Sequence, residues 1–346
     1  MKKFVLVFII LFFTIAVFAK LPKNYIPVNP DMKRVMLIER NDENRKIKVK
    51  NICWGRDTVN KVNEYQNTTI KFGNVKEIYY VSQKFAPEWI AAHGMIAIIM
   101  KDDSSVICED GRKARGLMLS VEAWRDKGVS YDIKTGLFKN FKLIFMMYTF
   151  EGRLQISSGI HKNKIELARI DINDTQKQQL LENIMKECLI DKSKIYYHSL
   201  TESCVTNAAK FINTVLEKKR RLRLWTIPKI LPNIRVSMPV FLTRYFCKKK
   251  IGIRMENIDP KTYKKFLKPD YWPSIMNNSE SLTETRSILL DTKLSNIKRL
   301  TGSKVIEENQ SGKLVETKSL TPEKLDELKA LQDIELIEKL IEMNSD

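Results

Sequence analysis

Residues 199–209 read Ser199-Leu200-Thr201-Glu202-Ser203-Cys204-Val205-Thr206-Asn207-Ala208-Ala209. Ser and Thr are capping residues, because their side-chain oxygens satisfy the free N–H groups at a helix start. Beyond them Val205, Ala208, Ala209, Ile212, Val215 and Leu216 recur at i, i+3, i+4 and i+7. That periodicity predicts a helix over 204–216 with one apolar face. It places Cys204 in the first turn, where unpaired N–H groups and the positive dipole end favour a thiolate.

A helix with one apolar face needs a surface to cover. The stretches 47–54, 68–72, 75–82, 95–100, 116–124, 142–150 and 165–170 have β-type composition. A second helix is predicted over 175–188, and a third from Thr321, an N-cap before Pro322, to about 343. Between 277 and 320 the composition turns to Ser, Thr, Asn, Lys and Glu, which predicts a linker. There is no internal repeat. The expected division is a signal peptide at 1–19, a globular domain at 20–273, and a polar linker with a C-terminal helix at 274–346.

The N-terminus points to export. Lys2 and Lys3 precede the uncharged stretch 4–19, and Val17 and Ala19 supply the small side chains that a signal peptidase accepts. Apart from the first twenty residues, no apolar run in the 346 residues approaches the ~20 needed to span a bilayer. Hydrophobic residues make up 43%, which is enough for a sizeable core.

Export changes how the charge reads. The formal charge is +19; residues 274–346 hold ten Lys/Arg against fourteen Asp/Glu, and with Lys2 and Lys3 set aside, residues 20–273 hold +21. Inside a cell such a domain would suggest nucleic acid. Outside the cytoplasm the fitting counter-surface is anionic lipid or an acidic envelope polymer. Basic residues concentrate at 218–250, where Lys218-Lys219-Arg220-Arg221 and Lys248-Lys249-Lys250 bracket Trp225, Leu242, Tyr245 and Phe246. Such a pattern suits either an interfacial segment on an anionic membrane or a solvated basic face over a core-packing segment.

Five cysteines, at 53, 108, 188, 204 and 247, leave at least one thiol unpaired. No C-x-x-C occurs and the three histidines are scattered, so no metal or cofactor is expected. If Cys204 is a nucleophile it needs a base within hydrogen-bond reach. His93 is the first choice, in Ala91-Ala92-His93-Gly94 at the start of a predicted strand; His161 and His198 are rivals. In the stretch 117–124, alternation puts Met118, Ser120, Glu122 and Trp124 on one face. Glu122 is there the candidate to orient the imidazole.

The stretches 49–54, 91–95, 120–123, 136–138 and 199–207, in that order, resemble a bacterial periplasmic domain family once of unknown function and later linked to lipoprotein N-acyltransferases. The resemblance covers roughly residues 45–250. It implies an α+β fold of the circularly permuted papain-like kind, an antiparallel sheet packed against a cysteine-bearing helix, here with a polar C-terminal tail. It also implies Cys204 as nucleophile and His93 as base, with Glu122 at an acidic family position. Departures are Ser203 where the family has asparagine, Trp124 where it favours arginine, and Phe141-Lys142 where a tyrosine–glutamate pair is common.

The leading expectation is therefore an exported, membrane-associated cysteine acyltransferase of the periplasm or cell envelope. It would move an acyl chain from lipid to a lipoprotein amine through a thioester. Phospholipid or lipoprotein would be its substrate, with no nucleic acid partner. A cysteine peptidase or amidase, and a non-catalytic basic envelope-binding module, are the alternatives. The binding module predicts Cys204 and His93 far apart.

Overall fold

Ten strands pair into one sheet around a centre of near-continuous apolar sequence. The computed structural model describes residues 21–85, 91–131, 135–136, 140–225, 232–268, 271 and 273–275. The expected signal peptide, the linker and the helix from Thr321 lie outside them.

The strands are β1 (Met36–Asn41), β2 (Lys46–Asp57), β3 (Val62–Lys71), β4 (Val75–Lys84), β5 (Ala92–Met100), β6 (Val106–Cys108), β7 (Gly116–Trp124), β8 (Lys142–Thr149), β9 (Ile165–Ile170) and β10 (Gly252–Ile258). Their spatial order is β10-β9-β4-β5-β7-β8-β2-β3-β6, with β1 on β2. All pairs are antiparallel except β2 with β8, where Ile52 faces Met147. Every residue of β8 is buried, as expected for a strand covered on both faces.

Alternation divides the strand side chains between two cores. Tyr80, Ile96, Ile98, Leu117, Leu119 and Phe145 face one side. They meet α2 (Asp174–Leu189), α3 (Cys204–Val215) and α5 (Pro239–Lys248), through residues such as Leu181, Ile184, Ala209, Ile212, Leu242 and Phe246. Tyr79, Val81, Met95, Met118, Met146 and Tyr148 face the other side. There they meet α1 (Phe150–Leu154), its π-helical continuation Gln155–Ile160, and Phe266 of a short 3₁₀ turn. A fourth short helix, α4 (Ile234–Ser237), leads into α5. The architecture is α+β, a large and mostly antiparallel sheet with few helices.

The strand expected at 142–150 ends one residue early, because Thr149 caps α1 by accepting from the Gly152 N–H at 3.1 Å. Gly152 is required there: a Cβ would lie 2.5 Å from the Trp54 carbonyl carbon. The basic, aromatic segment 218–250 is half core. Leu222, Val240, Leu242, Tyr245 and Phe246 are buried, while Lys218, Lys219, Lys248, Lys249 and Lys250 are exposed and Trp225 is 43% exposed. The apolar half of that segment thus faces the sheet and the basic half faces solvent. Among the described residues no helix is long and apolar enough to cross a membrane.

The residues that follow the expected signal are tied down. The Tyr196 hydroxyl donates to the Leu21 carbonyl at 2.7 Å, and buried Lys142 donates to the Lys23 carbonyl at 2.8 Å. The Tyr25 hydroxyl donates to Asp126.

Candidate active site

The site forms where β5, β7 and the start of α3 converge. Ser203 is the N-cap of α3, accepting from the Thr206 N–H at 3.3 Å, while Thr206 Oγ1 accepts from the Ser203 N–H at 2.8 Å. Serine and asparagine are comparable caps, so the serine departure at this position keeps the helix start intact. Cys204 is therefore the first helical residue, and its side chain is buried, 5% exposed.

Gly94 explains how that helix start comes so close to the sheet. A Cβ there would lie 2.9 Å from the Tyr80 hydroxyl and 3.3 Å from the Val205 Cα. Without one, the Gly94 N–H donates to Cys204 Sγ at 3.4 Å. Gly94 and Met95 lie on opposite faces of β5, and His93 shares the Met95 face. His93 is the second residue of β5, so ring and thiol, carried on opposite faces, meet at the end of the strand, close enough for each charge to act on the other.

The β5–β7 register positions the rest. Met95 pairs with Ser120, and extending that register by two residues sets His93 opposite Glu122. His93 Nε2 lies 2.6 Å from Ser120 Oγ and 3.2 Å from Glu122 Oε1. Ser120 in turn donates to Glu122 Oε1 at 2.7 Å. The Nε2 proton is thus shared by a hydroxyl and a carboxylate, which leaves Nδ1 for the thiol. Behind Glu122 stands Arg153 of α1, with Nη2 3.8 Å from Oε1 and bonded to Gln83 Oε1 at 3.1 Å. Arg153 brings a guanidinium to Glu122 from a different element, where Trp124 stands in place of the family's arginine.

Electrostatics favour the thiolate–imidazolium form of this pair. Burial pushes the Cys204 thiol up, but the His93 charge and the Gly94 N–H outweigh it, and the thiol is lowered. A unit charge about 4 Å away contributes about 4 kcal/mol at a protein's effective dielectric, which is enough to reverse a burial penalty of that order. Burial alone would lower His93; Glu122 and the Cys204 thiolate push it up to about 9. Burial would raise Glu122; His93, Arg153 and the Ser120 hydroxyl hold it well below the usual carboxylate range. The remaining cysteines behave as apolar groups: burial pushes Cys53 up to about 12 and raises Cys188 further. All five thiols are free.

Tyr197 closes the site on the helix side. Its hydroxyl lies 3.5 Å from the Cys204 backbone nitrogen and 3.9 Å from Sγ. Burial keeps this phenol protonated well above its ordinary range. Tyr197 stacks edge-on with Tyr131, which in turn packs on Phe141, so an aromatic wall stands beside the thiol.

The structure brings Cys204, His93 and Glu122 together. It does not bring the rival histidines. His198 Nδ1 accepts from the Leu200 and Thr201 N–H groups at 3.3 Å each, shaping the loop before the helix. His161 is exposed just past the π-helical turn. Ser120, Tyr197 and Arg153 were not singled out by sequence reasoning. Ser120 had a signal, since it shares the Glu122 face at i−2. Among the described residues no group of three or more His, Cys, Asp or Glu is placed to hold a metal.

A family model described as the Lnb N-terminal periplasmic domain matches residues 61–239, a span that includes His93, Ser120, Glu122, Arg153, Tyr197 and Cys204. No curated protein and no solved structure matches the chain.

Proposed function

The chain belongs to the family of Lnb N-terminal periplasmic domains, and on that premise we propose that it is a cysteine acyltransferase of the cell envelope. The observation that carries this is the buried thiol of Cys204 at a helix start, bonded to the N–H of Gly94 and lowered by the neighbouring imidazole that Ser120 and Glu122 hold. Cys204 Sγ attacks the ester carbonyl carbon of a lipid. The C–O bond breaks, and the His93 imidazolium gives its proton to the leaving alcohol. The thioester remains on Cys204. An amine, in this reading a lipoprotein N-terminus, then attacks the same carbon and loses its proton to His93, and the thiolate departs. The Tyr197 hydroxyl, which accepts from the Cys204 N–H and faces Sγ, is the donor for the tetrahedral oxyanion.

The chain order, histidine strand, then carboxylate strand, then cysteine helix, supports a circularly permuted papain-like arrangement. The aromatic wall of Tyr131, Phe141 and Tyr197 favours an acyl chain over a peptide as the group beside the thiol. A purely binding role predicts Cys204 and His93 apart, whereas Gly94, next to His93, donates to Cys204 Sγ and each side chain's charge acts on the other. Membrane association through exposed Lys218, Lys219 and Lys248–Lys250 belongs to the same proposal, each contributing on the order of 1 kcal/mol near an anionic leaflet. The test is the acyl-enzyme. Incubation with a diacyl phospholipid or lipopeptide is expected to leave one acyl group on Cys204, released by neutral hydroxylamine. Amide cleavage with no acyl transfer to any amine would replace this reading with the hydrolase.

A further inference from the structure

Two cations share one carboxylate on the helix-covered face of the sheet, near the thiol, and a third stands on the helix packed over those strands. Lys84 ends β4, Glu166 is in β9, Arg254 is in β10, and Arg244 is on α5. Lys84 Nζ lies 3.4 Å and Arg254 Nη2 3.6 Å from the same Glu166 Oε1. Lys84 and Arg254 are each 8% exposed. Arg244 is exposed at the rim, and its charge acts on both Lys84 and Glu166.

Among the described residues the buried cations Lys84 and Arg254 carry one positive charge more than Glu166 balances, and exposed Arg244 adds a second. Leaving buried charge uncompensated is strongly unfavourable, by several kcal/mol per ion. Lys84 registers the imbalance: burial lowers it, Glu166 offsets that in part, and Arg244 and Arg254 lower it again. A second observation is independent of charge. Arg254 Nε is buried with no hydrogen-bond partner, although its neighbour Nη2 faces Glu166. A buried guanidinium N–H without an acceptor, beside surplus positive charge, is a donor matched in sign and geometry to an anion with several oxygens.

The register locates the cluster relative to the thiol. Ser82 pairs with Gly94 on one side and with Glu166 on the other. Cys204 rests on Gly94, so Glu166 stands two strands away, about 10 Å at ordinary strand spacing. Lys84 is two residues along β4 from Ser82, toward the end where His93 lies. Buried Tyr80, whose hydroxyl lies beside Gly94, feels both the Cys204 and the Glu166 charge. In a glycerophospholipid the phosphate is only a few bonds from its ester carbonyls.

We propose that Lys84, Arg244 and Arg254 form a binding site for a phosphate mono- or diester beside Cys204, and that it holds the head group of the acyl donor. The link to a donor rests on the reading of Cys204 above; the anion site itself does not. Lys84 and Arg254 form the floor, Glu166 fixes their side chains, and Arg244 closes on the anion from the rim.

The test uses the full chain in a Cys204→Ala background, so that nothing turns over. Binding of dihexanoyl phosphatidic acid, dihexanoylglycerol and inorganic phosphate is measured by titration calorimetry at fixed salt. The phosphatidic acid is expected to bind at least about tenfold tighter than the uncharged diacylglycerol, with affinity falling as salt rises. Arg244→Gln, on an exposed position that does not threaten folding, is expected to weaken it about tenfold. Lys186→Gln, exposed on α2 and outside the cluster, is expected to leave it unchanged. Inorganic phosphate binding as tightly as the lipid would keep the anion site and remove its head-group role. Equal affinity for phosphatidic acid and diacylglycerol, or no effect of Arg244→Gln, would overturn the site. A hydroxylamine-labile adduct on wild-type Cys204 together with that negative result would spare the acyltransferase reading. Anion binding without any adduct would spare only the site.

Discussion

Cys188 and Cys204 are both buried cysteines at helix ends, and they are chemically opposite. Cys188 lies in the last turn of α2, where the carbonyl end of the dipole, burial and neighbouring Glu187 all resist a thiolate, with Lys192 a partial offset. Cys204 lies in the first turn of α3, at the positive end of the dipole, with the Gly94 donor and His93 around it. Burial is the largest single influence on both thiols and pushes both the same way. What separates them is which end of the helix they occupy and whether a held imidazole faces them. A buried cysteine is thus an apolar filler by default and a nucleophile only when several partners act together.

The comparison breaks most sharply by deletion. Cys204→Ala is expected to abolish the hydroxylamine-labile acyl adduct, and Cys188→Ala to leave its formation rate unchanged. Adduct retained in Cys204→Ala would sink the mechanism. Next in size, His93→Ala is expected to slow acylation by about 10²–10⁴-fold. It should also move iodoacetamide labelling of Cys204 to higher pH, because only the Gly94 N–H and the helix start then offset burial. Tyr197→Phe removes one oxyanion donor and is expected to lower the acylation rate by about 10² with little change in thiol labelling. Equal losses in both assays would make Tyr197 a structural residue. Glu122→Gln is expected to slow acylation by about tenfold to a hundredfold, less than His93→Ala, because Ser120 still holds the ring.

The pH dependence follows from the signs. Cys204 is lowered, so its thiolate is lost as pH falls through that depressed value. His93 is raised, so the ion pair's contribution to stability is complete below the ordinary histidine value of about 6.5. It is lost as pH rises through about 9. Acylation of a soluble ester should therefore fall on the alkaline side near pH 9, measured by stopped-time labelling. A rate still climbing past that point would show that His93 acts only as a neutral base. The smallest expected effect returns to the filler cysteine: Cys188→Ala should lower stability by about 1–2 kcal/mol, read as a shift in urea midpoint at unchanged slope.

The helix that presents Cys204 was legible because its 3.6-residue periodicity and its caps agree. Glu122 was legible because period-two alternation separates the two faces of β7. The strand cores of β4, β5, β7 and β9 were legible from their β-branched and apolar composition. Edge strands β1, β6 and β10 were not, since short, charged strands such as Met36–Asn41 carry no clear alternation. Arg153 was invisible because α1 and its π-helical extension contain Gly152, Ser157, Ser158 and Gly159, which carry no helix signal. α5 was masked by its Lys and aromatic content, although Pro239 at its first turn was a usable mark. Tyr197 could not be read at all, because no local pattern reports which hydroxyl a later helix will meet.

The sheet order has a consequence for timing. The strand carrying His93 lies mid-sheet, and the residue that rests on its neighbour arrives 110 positions later in the chain. Contacts of that separation form late, since the intervening loop must first be closed. Until then Cys204 is an ordinary thiol, with only a few per cent as thiolate at neutral pH. A nascent or misfolded chain therefore carries an inert sulfur, and alkylation at low pH would report completed assembly of the domain rather than the presence of the polypeptide.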